Sequence, residues 1–362
     1  MKIFVIGSSI TSSYWNGAAT YYRGIYRALA ARGHEITFAE PDAYHRQQHR
    51  DGTPSDFAYL SSWVYQSPRD LPAILQAASK ADLVIKHSGV GVDDELLERE
   101  VVNLRSPTTQ VAFWDVDAPA TLFRVQHNPA DPFRNLISQY DYIFTYGGGS
   151  PIVNHYTQLG ATNCFPIYNA HDSETHFPVP AEDRFRCDLA FVGNRLPDRE
   201  KRVEEFFIAA AEMAPEMSFL LGGEGWGGKS IPNNVRWIGH VGTNDHNAVN
   251  CSARMVLNIN RDSMAGVGFS PPTRVFEAAG GGACLITDEW PGIDRFFVPG
   301  KEILVASCVE DVVRAMRNFD AKEAKTMGTA MRERALREHT YAQRADSVDR
   351  ILTRAGSELA AV

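Results

Sequence analysis

Arg274 and Glu277 are the residues whose types and spacing point most directly to chemistry in this 362-residue chain. They lie three positions apart, on nearly one face of a predicted helix that opens at Pro271 and Pro272. A helix start leaves N–H groups unpaired and attracts phosphate, and arginine adds a full charge with a planar set of donors. A carboxylate repels phosphate but accepts both hydroxyls of a ribose. The spacing therefore predicts a nucleotide site, and the polar, glycine-rich loop before the helix favours it over a surface ion pair.

Further candidates follow a predicted strand at 188–192. Gly193, Asn194 and Arg195 lie at its end, which is the edge of a parallel sheet where ligands bind. Arg195 is predicted to supply charge to a phosphate. The basic residues at 199–202 are interpreted instead as a solvated helix start.

Glycine is concentrated in the turn at 222–228, which contains five glycines in seven residues. Gly223 and its neighbours either permit a close backbone approach to a ligand or form a mobile turn. Trp226 either stacks on a nucleotide base or packs in the core. Asn260, at the end of the strand that precedes the Arg274 helix, completes the predicted donor-binding set.

Two residues of the first half are catalytic candidates because each follows a predicted strand. Asp117 is predicted to be a base that deprotonates an acceptor hydroxyl, or a structural cap for a helix that starts at Pro119. Asp115 and Asp117 also form a DxD pattern, which can hold a metal between carboxylates and a diphosphate, but so short a pattern is common by chance and no metal site is predicted. His87 is the second candidate, with an ordinary structural histidine as the alternative.

The loop at 7–17 occupies the place of a phosphate loop, but the GxGxxG pattern is absent. Gly17 would let the following helix start approach a bound ligand, if the loop is more than a routine strand–helix connection. His171 and Asp172 lie in a stretch predicted to link two domains, from which they could reach the site.

Short β-branched runs alternate with amphipathic helices, which predicts an α/β fold with parallel sheets. Ser150 and Pro151 are predicted to start one of these helices. The alternation restarts after the linker, so we expect Rossmann-like domains at 1–175 and 186–338. The segment 339–362 is predicted to be a helix that crosses back to the first domain.

Composition excludes several classes of protein. The formal net charge of −8 disfavours a protein that coats nucleic acid, which needs basic surface. Five widely spaced cysteines without a CxxC pair indicate neither a zinc ribbon nor a disulfide scaffold. The first apolar run stops at Gly7, which is too short for a signal-peptide core, and no apolar run is long enough to span a membrane, so a cytoplasmic protein is expected.

The second half resembles the C-terminal region of GT-B glycosyltransferases, particularly the CgeB-like (spore maturation protein B) enzymes, and the group 1 family. The resemblance runs from 187 to about 345 and is carried by DLAFVGNRLPDREKR, GGEGW, RWIGHV, ARMVLNINR, TRVFEAAGGGACLITDEWPG and REHTYAQRA. The first half resembles the family mainly through AFWDVDAP. In related enzymes a glutamate at the position of Glu277 binds the donor ribose. Group 1 retaining enzymes have another glutamate eight residues earlier, where this chain has Phe269, so their stereochemistry does not carry over.

The resemblance implies two facing Rossmann-like domains with a C-terminal helical tail. It also implies an enzyme that moves a sugar, a hexose by analogy, from a nucleoside diphosphate to an acceptor. A UDP-linked donor is favoured, and no metal or other cofactor is required because arginines and helix starts replace the cation. The acceptor can be a glycan, a protein or a small molecule.

Three other functions remain open at this point. A nucleotide-sugar epimerase has the same architecture but converts the donor with no acceptor present. An NAD-dependent oxidoreductase would use Glu40, at the end of the second strand, to bind a ribose. A sugar-binding module without turnover is the third. The sugar, the acceptor, the stereochemistry and the oligomeric state cannot be read from the sequence.

Overall fold

The computed structural model describes residues 1–14 and 16–359, which divide into two compact units. The first unit contains Met1–Tyr168 and the chain from Tyr341 onward. The second contains Asn169–Thr340. The change from the first unit to the second therefore falls just before the stretch predicted as a linker.

The first unit is built on a seven-stranded parallel sheet with the order β3-β2-β1-β4-β5-β6-β7. Its strands β1 to β7 are Lys2–Ile6, Glu35–Pro41, Ser61–Tyr65, Leu83–His87, Gln110–Asp115, Tyr142–Thr145 and Cys164–Pro166. Its first five helices, α1 to α5, are Ala19–Ala31, Leu71–Ala78, Asp94–Asn103, Ala118–His127 and Gly149–Gln158.

The second unit contains a six-stranded parallel sheet with the order β10-β9-β8-β11-β12-β13. Strands β8 to β13 are Cys187–Val192, Phe219–Gly222, Val235–Trp237, Ala253–Asn258, Cys284–Asp288 and Leu304–Ala306. Helices α6 to α12 are Pro197–Val203, Ala209–Met213, Thr243–Ser252, Asp262–Val267, Thr273–Gly281, Val309–Asn318 and Ala321–Glu338. A π-helical turn at Glu204–Ile208 joins α6 to α7.

The central strands are apolar along their length because parallel sheets are covered on both faces. Every residue of β12 is buried, as are four of the five residues of β1. This burial confirms the predicted α/β class with two parallel-sheet units. No helix in the described part of the chain is long and apolar enough to cross a membrane.

The structure corrects two predicted helix starts. Helix α5 begins at Gly149, and its N-cap is Gly148 rather than Ser150. Gly148 has a φ of +86°, which glycine adopts without strain, and a Cβ there would lie 2.0 Å from Ile152 Cγ1. Helix α10 begins at Thr273, one residue after its cap Pro272.

The last helix, α13 (Tyr341–Leu359), belongs to the first unit, where it packs against α1. Its predicted apolar stripe is largely buried, since Tyr341, Ala345, Val348 and Leu352 have almost no exposed surface. The contact is tightest at Gly24 of α1, where a Cβ would lie 2.2 Å from the Tyr341 ring. Glycine at this position lets the two helices approach closely.

Gly24→Ala should therefore destabilise the first unit although alanine favours helix. Helix propensity alone would stabilise the protein by about 1 kcal/mol. Forcing a methyl group into the Tyr341 ring costs about 1–3 kcal/mol, so we expect a net loss of stability. The measurement is urea unfolding of the full chain.

Gly17→Ala is the matched control, because a Cβ at Gly17 meets no atom within 4 Å. A Gly24→Ala protein as stable as the wild type would show that α1 and α13 are not in close contact.

Candidate functional site

Glu277 lies in the second turn of α10, with only 7% of its surface exposed. Arg274 Nη1 is 3.1 Å from its Oε2 atom, and His246 Nδ1 is 3.7 Å from the same oxygen. Burial alone would raise the pKa of Glu277, but Arg274, His176 and His246 outweigh it and lower the pKa to about 2. The predicted pairing of Arg274 with Glu277 is thus a buried charge cluster rather than a solvated surface pair.

Two histidines that the sequence did not single out lie beside this carboxylate. His176 is buried, and His246 of α8 is mostly buried. Burial, then the positive charge of Arg274, lower the pKa of His246 to about 4, and burial also lowers the pKa of His176. Both rings are therefore neutral near pH 7. No local pattern identifies them, because they come from distant segments of the chain.

His171, which was predicted to reach the site, packs against α10 instead. A Cβ on Gly280 of that helix would lie 2.7 Å from His171 Cε1. The His171 side chain is buried, and burial lowers its pKa to about 4. The residue five positions later, His176, is the one that approaches Glu277.

Arg199 is a further residue that the sequence analysis assigned to a solvated helix start. Its guanidinium lies 5.7 Å from the centre of the Phe191 ring, and Nη2 donates a hydrogen bond to Asn194 O at 2.5 Å. Burial lowers the pKa of Arg199 to about 10, and the positive charges of Arg274 and Arg261 act in the same direction. The carboxylates of Asp198 and Asp288 act in the opposite direction and favour the charged form of Arg199.

Arg195, the predicted phosphate ligand, already has a carboxylate partner. Its Nη2 lies 2.8 Å from Glu200 Oε1, and Lys229 also pairs with this carboxylate. The Arg195 backbone N–H donates to Glu224 O at 2.9 Å. This arrangement favours a structural role for Arg195 and leaves Arg199 as the cation nearer to Arg274.

Gly193, Asn194 and Gly223 form the contact between two loops. Asn194 Oδ1 accepts a hydrogen bond from Glu224 N at 3.0 Å. Gly223 has a φ of +116°, and a Cβ there would lie 2.3 Å from Gly193 O. The structure shows that Gly223 permits a close approach between two loops of the protein, and the approach of this turn to a ligand stays a prediction.

Trp226 packs in the core rather than presenting a face to a base. It is 2% exposed, and its Nε1 donates to Gly193 O at 2.9 Å. Trp237, at the end of β10, is 40% exposed and donates from Nε1 to Gly223 O at 3.0 Å. Trp237 is thus the accessible indole in this region.

Asn260 follows β11, and a buried carboxylate fixes its backbone. Its N–H lies 3.1 Å from both carboxylate oxygens of Asp288, which also pairs with Arg202 at 2.6 Å. The Asn260 Oδ1 atom is buried without a hydrogen-bond partner among the described residues. Asp288, an acidic residue at the end of β12, could have been found from its position in the sequence.

In the first unit, His87 is enclosed by the core. Its Nε2 lies 2.5 Å from the Tyr26 hydroxyl, and its Nδ1 lies 3.2 Å from Trp114 O. Burial lowers the pKa of His87 to about 3. A fully buried, neutral ring with both nitrogens engaged favours the structural alternative over catalysis.

The two aspartates of the DxD pattern have different surroundings. Asp115 is completely buried, where its carboxylate accepts hydrogen bonds from Thr121, Tyr156 and the backbone of Asp117. Asp117 is half-buried at the N-cap position of α4, but its side chain makes no capping hydrogen bond. Asp115 therefore supports the local structure, and Asp117 is the more accessible carboxylate.

Glu40 holds the loop that follows β1. Its Oε2 accepts from the backbone N–H of Ile10 at 2.6 Å, and its Oε1 accepts from the Thr11 hydroxyl at 2.5 Å and from Gln47 at 2.7 Å. A carboxylate engaged in this way is not available to a ribose. The role that an NAD-dependent enzyme would give to Glu40 is therefore filled by the protein's own loop.

The neutral state of His246 predicts how stability depends on pH. Below pH 6.5 the unfolded chain binds a proton at this position, whereas the folded protein does not until about pH 4. Stability is therefore lost as the pH falls through this window. The free energy of unfolding should fall by about 1.4 kcal/mol per pH unit within this window because of His246. His246→Gln should remove this part of the pH dependence. Urea unfolding between pH 4.5 and 7 measures the difference.

His240→Gln is the control, since His240 is exposed on the segment between β10 and α8. Parallel pH profiles for the wild type and His246→Gln would show that His246 titrates in the folded protein as it does in the unfolded chain.

A family described as "Glycosyl transferase-like" matches residues 199–350 of the chain. This segment contains Arg199, Asn260, Arg274 and Glu277. No curated protein matches the sequence.

Several solved structures are similar to the whole chain. HepE from Anabaena, solved with UDP and glucose, has a TM-score of 0.70 at 12% identity and covers 98% of this chain and 100% of its own. A sucrose-phosphate synthase from Thermosynechococcus elongatus has a TM-score of 0.65 at 14% identity, with 99% and 100% covered. The T4 phage enzyme BGT, solved with its UDP-glucose substrate, has a TM-score of 0.63 at 12% identity, with 97% and 99% covered. At these identities the likeness establishes the GT-B fold.

Proposed function

We propose that this protein is a glycosyltransferase that moves a sugar, a hexose by analogy, from a nucleoside diphosphate to an acceptor. The observation that carries the proposal is the buried Arg274–Glu277 pair at the start of α10. The match of residues 199–350 to a glycosyl transferase-like family supports it. The UDP in HepE and the UDP-glucose in the T4 enzyme favour a UDP-linked donor here.

Different residues of the site bind the diphosphate and the ribose. Arg199, Arg274 and the start of α10 supply positive charge for a diphosphate, because guanidinium groups form paired hydrogen bonds with phosphate oxygens. Glu277 stays ionised and accepts hydrogen bonds from the ribose hydroxyls. Asn260, with its unpartnered Oδ1, is a further donor-binding candidate.

The reaction needs charge stabilisation and a base. When the bond between the sugar and the diphosphate breaks, negative charge grows on the leaving phosphate, and fixed cations stabilise it without reorganisation. Asp117 is the proposed base that takes a proton from the acceptor hydroxyl. The Asp115 carboxylate already accepts a hydrogen bond from Tyr156, and the buried His87 ring is hydrogen-bonded to Tyr26. These groups perform the role that a metal ion has in other glycosyltransferases.

The CgeB-like assignment is also part of the proposal, and it rests on the sequence motifs of the second half. Phe269 replaces the first glutamate of the group 1 pattern. Its backbone has a φ of +47°, and its ring is so close to Gly292 that a Cβ there would lie 2.2 Å away. A side chain that supports the loop in this way cannot contact a sugar as a carboxylate does.

Glu277→Gln is the direct test of the proposed ribose contact. The substitution keeps the shape and one acceptor oxygen but removes the charge. A hydrogen bond to a charged group contributes about 1.5–3 kcal/mol, so UDP should bind about ten- to a hundredfold more weakly. Calorimetric titration of UDP into the folded variant measures this, and unchanged affinity would remove Glu277 from the site.

Arg199→Gln and Arg195→Gln form a matched pair for the diphosphate. We expect Arg199→Gln to weaken UDP binding about tenfold or more, since it removes a buried cation whose pKa is affected by the charge of Arg274. Arg195→Gln should have less effect, because that guanidinium pairs with Glu200. The opposite ranking would restore Arg195 as the phosphate ligand.

Turnover should survive EDTA if arginines replace a metal at the leaving diphosphate. The measurement is release of UDP from a UDP-sugar with and without chelator. Complete loss of activity that manganese restores would contradict the proposal and favour the alternative in which the DxD pattern of Asp115 and Asp117 holds a metal.

A further inference from the structure

His176, His246 and Glu277 have a geometry that nucleotide binding does not require. One potential ligand atom from each residue lies within 4.8 Å of the other two. Within residues 1–14 and 16–359, no other three His, Cys, Asp or Glu side chains come together in this way. The three residues come from separate parts of the chain. His176 precedes β8, His246 lies in α8 and Glu277 lies in α10.

Two buried polar atoms of the cluster have no hydrogen bond within the described part of the chain. Among the described residues, His176 Nε2 and Glu277 Oε2 accept or donate no hydrogen bond. Arg274 is close to Oε2 at 3.1 Å, which is an ion-pair distance, but it does not meet hydrogen-bonding geometry. Buried polar atoms nearly always have a hydrogen bond, so two atoms without one in the same cluster favour a ligand at this place.

The surroundings of His246 resemble those of a metal-binding histidine. Its Nδ1 faces the Glu277 carboxylate at 3.7 Å, and most of its side chain is buried. Histidines that bind metals commonly use one nitrogen for the metal and the other for a carbonyl or carboxylate, which fixes the ring.

We propose that His176, His246 and Glu277 bind a divalent transition-metal ion, zinc by preference, and that this ion and the nucleotide exclude each other at Glu277. Two imidazoles and one carboxylate are a donor set that zinc accepts, whereas magnesium and calcium prefer oxygen atoms alone. Ligand atoms about 2 Å from a tetrahedral zinc lie roughly 3.4 Å apart, so ligand atoms that are 4.8 Å apart need to approach by about 1.4 Å.

The ion would act as an inhibitor rather than as a catalyst. It would replace Arg274 as the positive partner of Glu277 and occupy the oxygen that the ribose hydroxyls need. By linkage, the metal weakens nucleotide binding by the same factor as the nucleotide weakens metal binding. This exclusion rests on the nucleotide role proposed for Glu277, but the metal site itself does not.

Titration of the full-length protein with Co²⁺, without nucleotide, tests the site directly. Bound cobalt with nitrogen and oxygen ligands gives a visible ligand-field band that does not depend on enzyme activity. We expect the wild type to show this band, and His246→Ala and His176→Ala to bind cobalt at least tenfold more weakly. If His176→Ala does not fold because His176 is buried, His246→Ala still removes one ligand of the site and tests it alone.

His240→Ala is the matched control, because this exposed histidine lies six residues before His246 and outside the cluster. It should leave the band unchanged. Absence of the band in the wild type, or an equal band in His246→Ala, would overturn the proposal.

A competition experiment with UDP distinguishes failure of the metal site from failure of the proposed function. Saturating UDP should raise the apparent cobalt dissociation constant at least tenfold, and zinc should raise that of UDP equally. Cobalt binding at the cluster that UDP does not affect would overturn the exclusion and question the ribose role of Glu277. UDP binding that depends on Glu277, without any cobalt band, would overturn the metal site and leave the proposed function intact.

Discussion

The buried carboxylate of Glu277 is the constraint on which the second unit's site depends. A charge with so little exposure is costly unless cations or donors surround it. Arg274 supplies the cation, and α10 holds both residues on one face. His176 and His246 also lie beside the carboxylate, so two otherwise distant segments meet at one helix. Removing the charge would therefore affect the arrangement of several side chains and not one contact.

Some arginines of the second unit pair with a carboxylate, whereas Arg199 is affected by other cations. Arg195 and Arg202 each have a carboxylate within 2.8 Å, and these pairs support the loops after the strands. The pKa of Arg199 is instead lowered, first by burial and then by the positive charges of Arg274 and Arg261. A cation that is held near other cations costs stability, and proteins retain such arrangements mainly where a ligand offsets the repulsion.

The sequence was most informative where structure depends on neighbouring residues. The central strands and the Arg274–Glu277 pair follow from local patterns, namely continuous apolar runs and a three-residue spacing on a helix. The edge strand β3 was missed because three of its five residues are exposed and its alternation is weak. Arg199, His176 and His246 were missed because tertiary packing, which no local pattern reports, brings them to the carboxylate.

The place of α13 in the first unit has a consequence for the order of folding during synthesis. The first unit is discontinuous, because its sheet lies before Asn169 and its last helix lies after Thr340. Domains fold largely as their residues leave the ribosome. The second unit is one continuous segment and can complete its core as soon as it is made. The surface of α1 around Gly24 stays uncovered throughout that time, so the part of the protein that is made first is completed last.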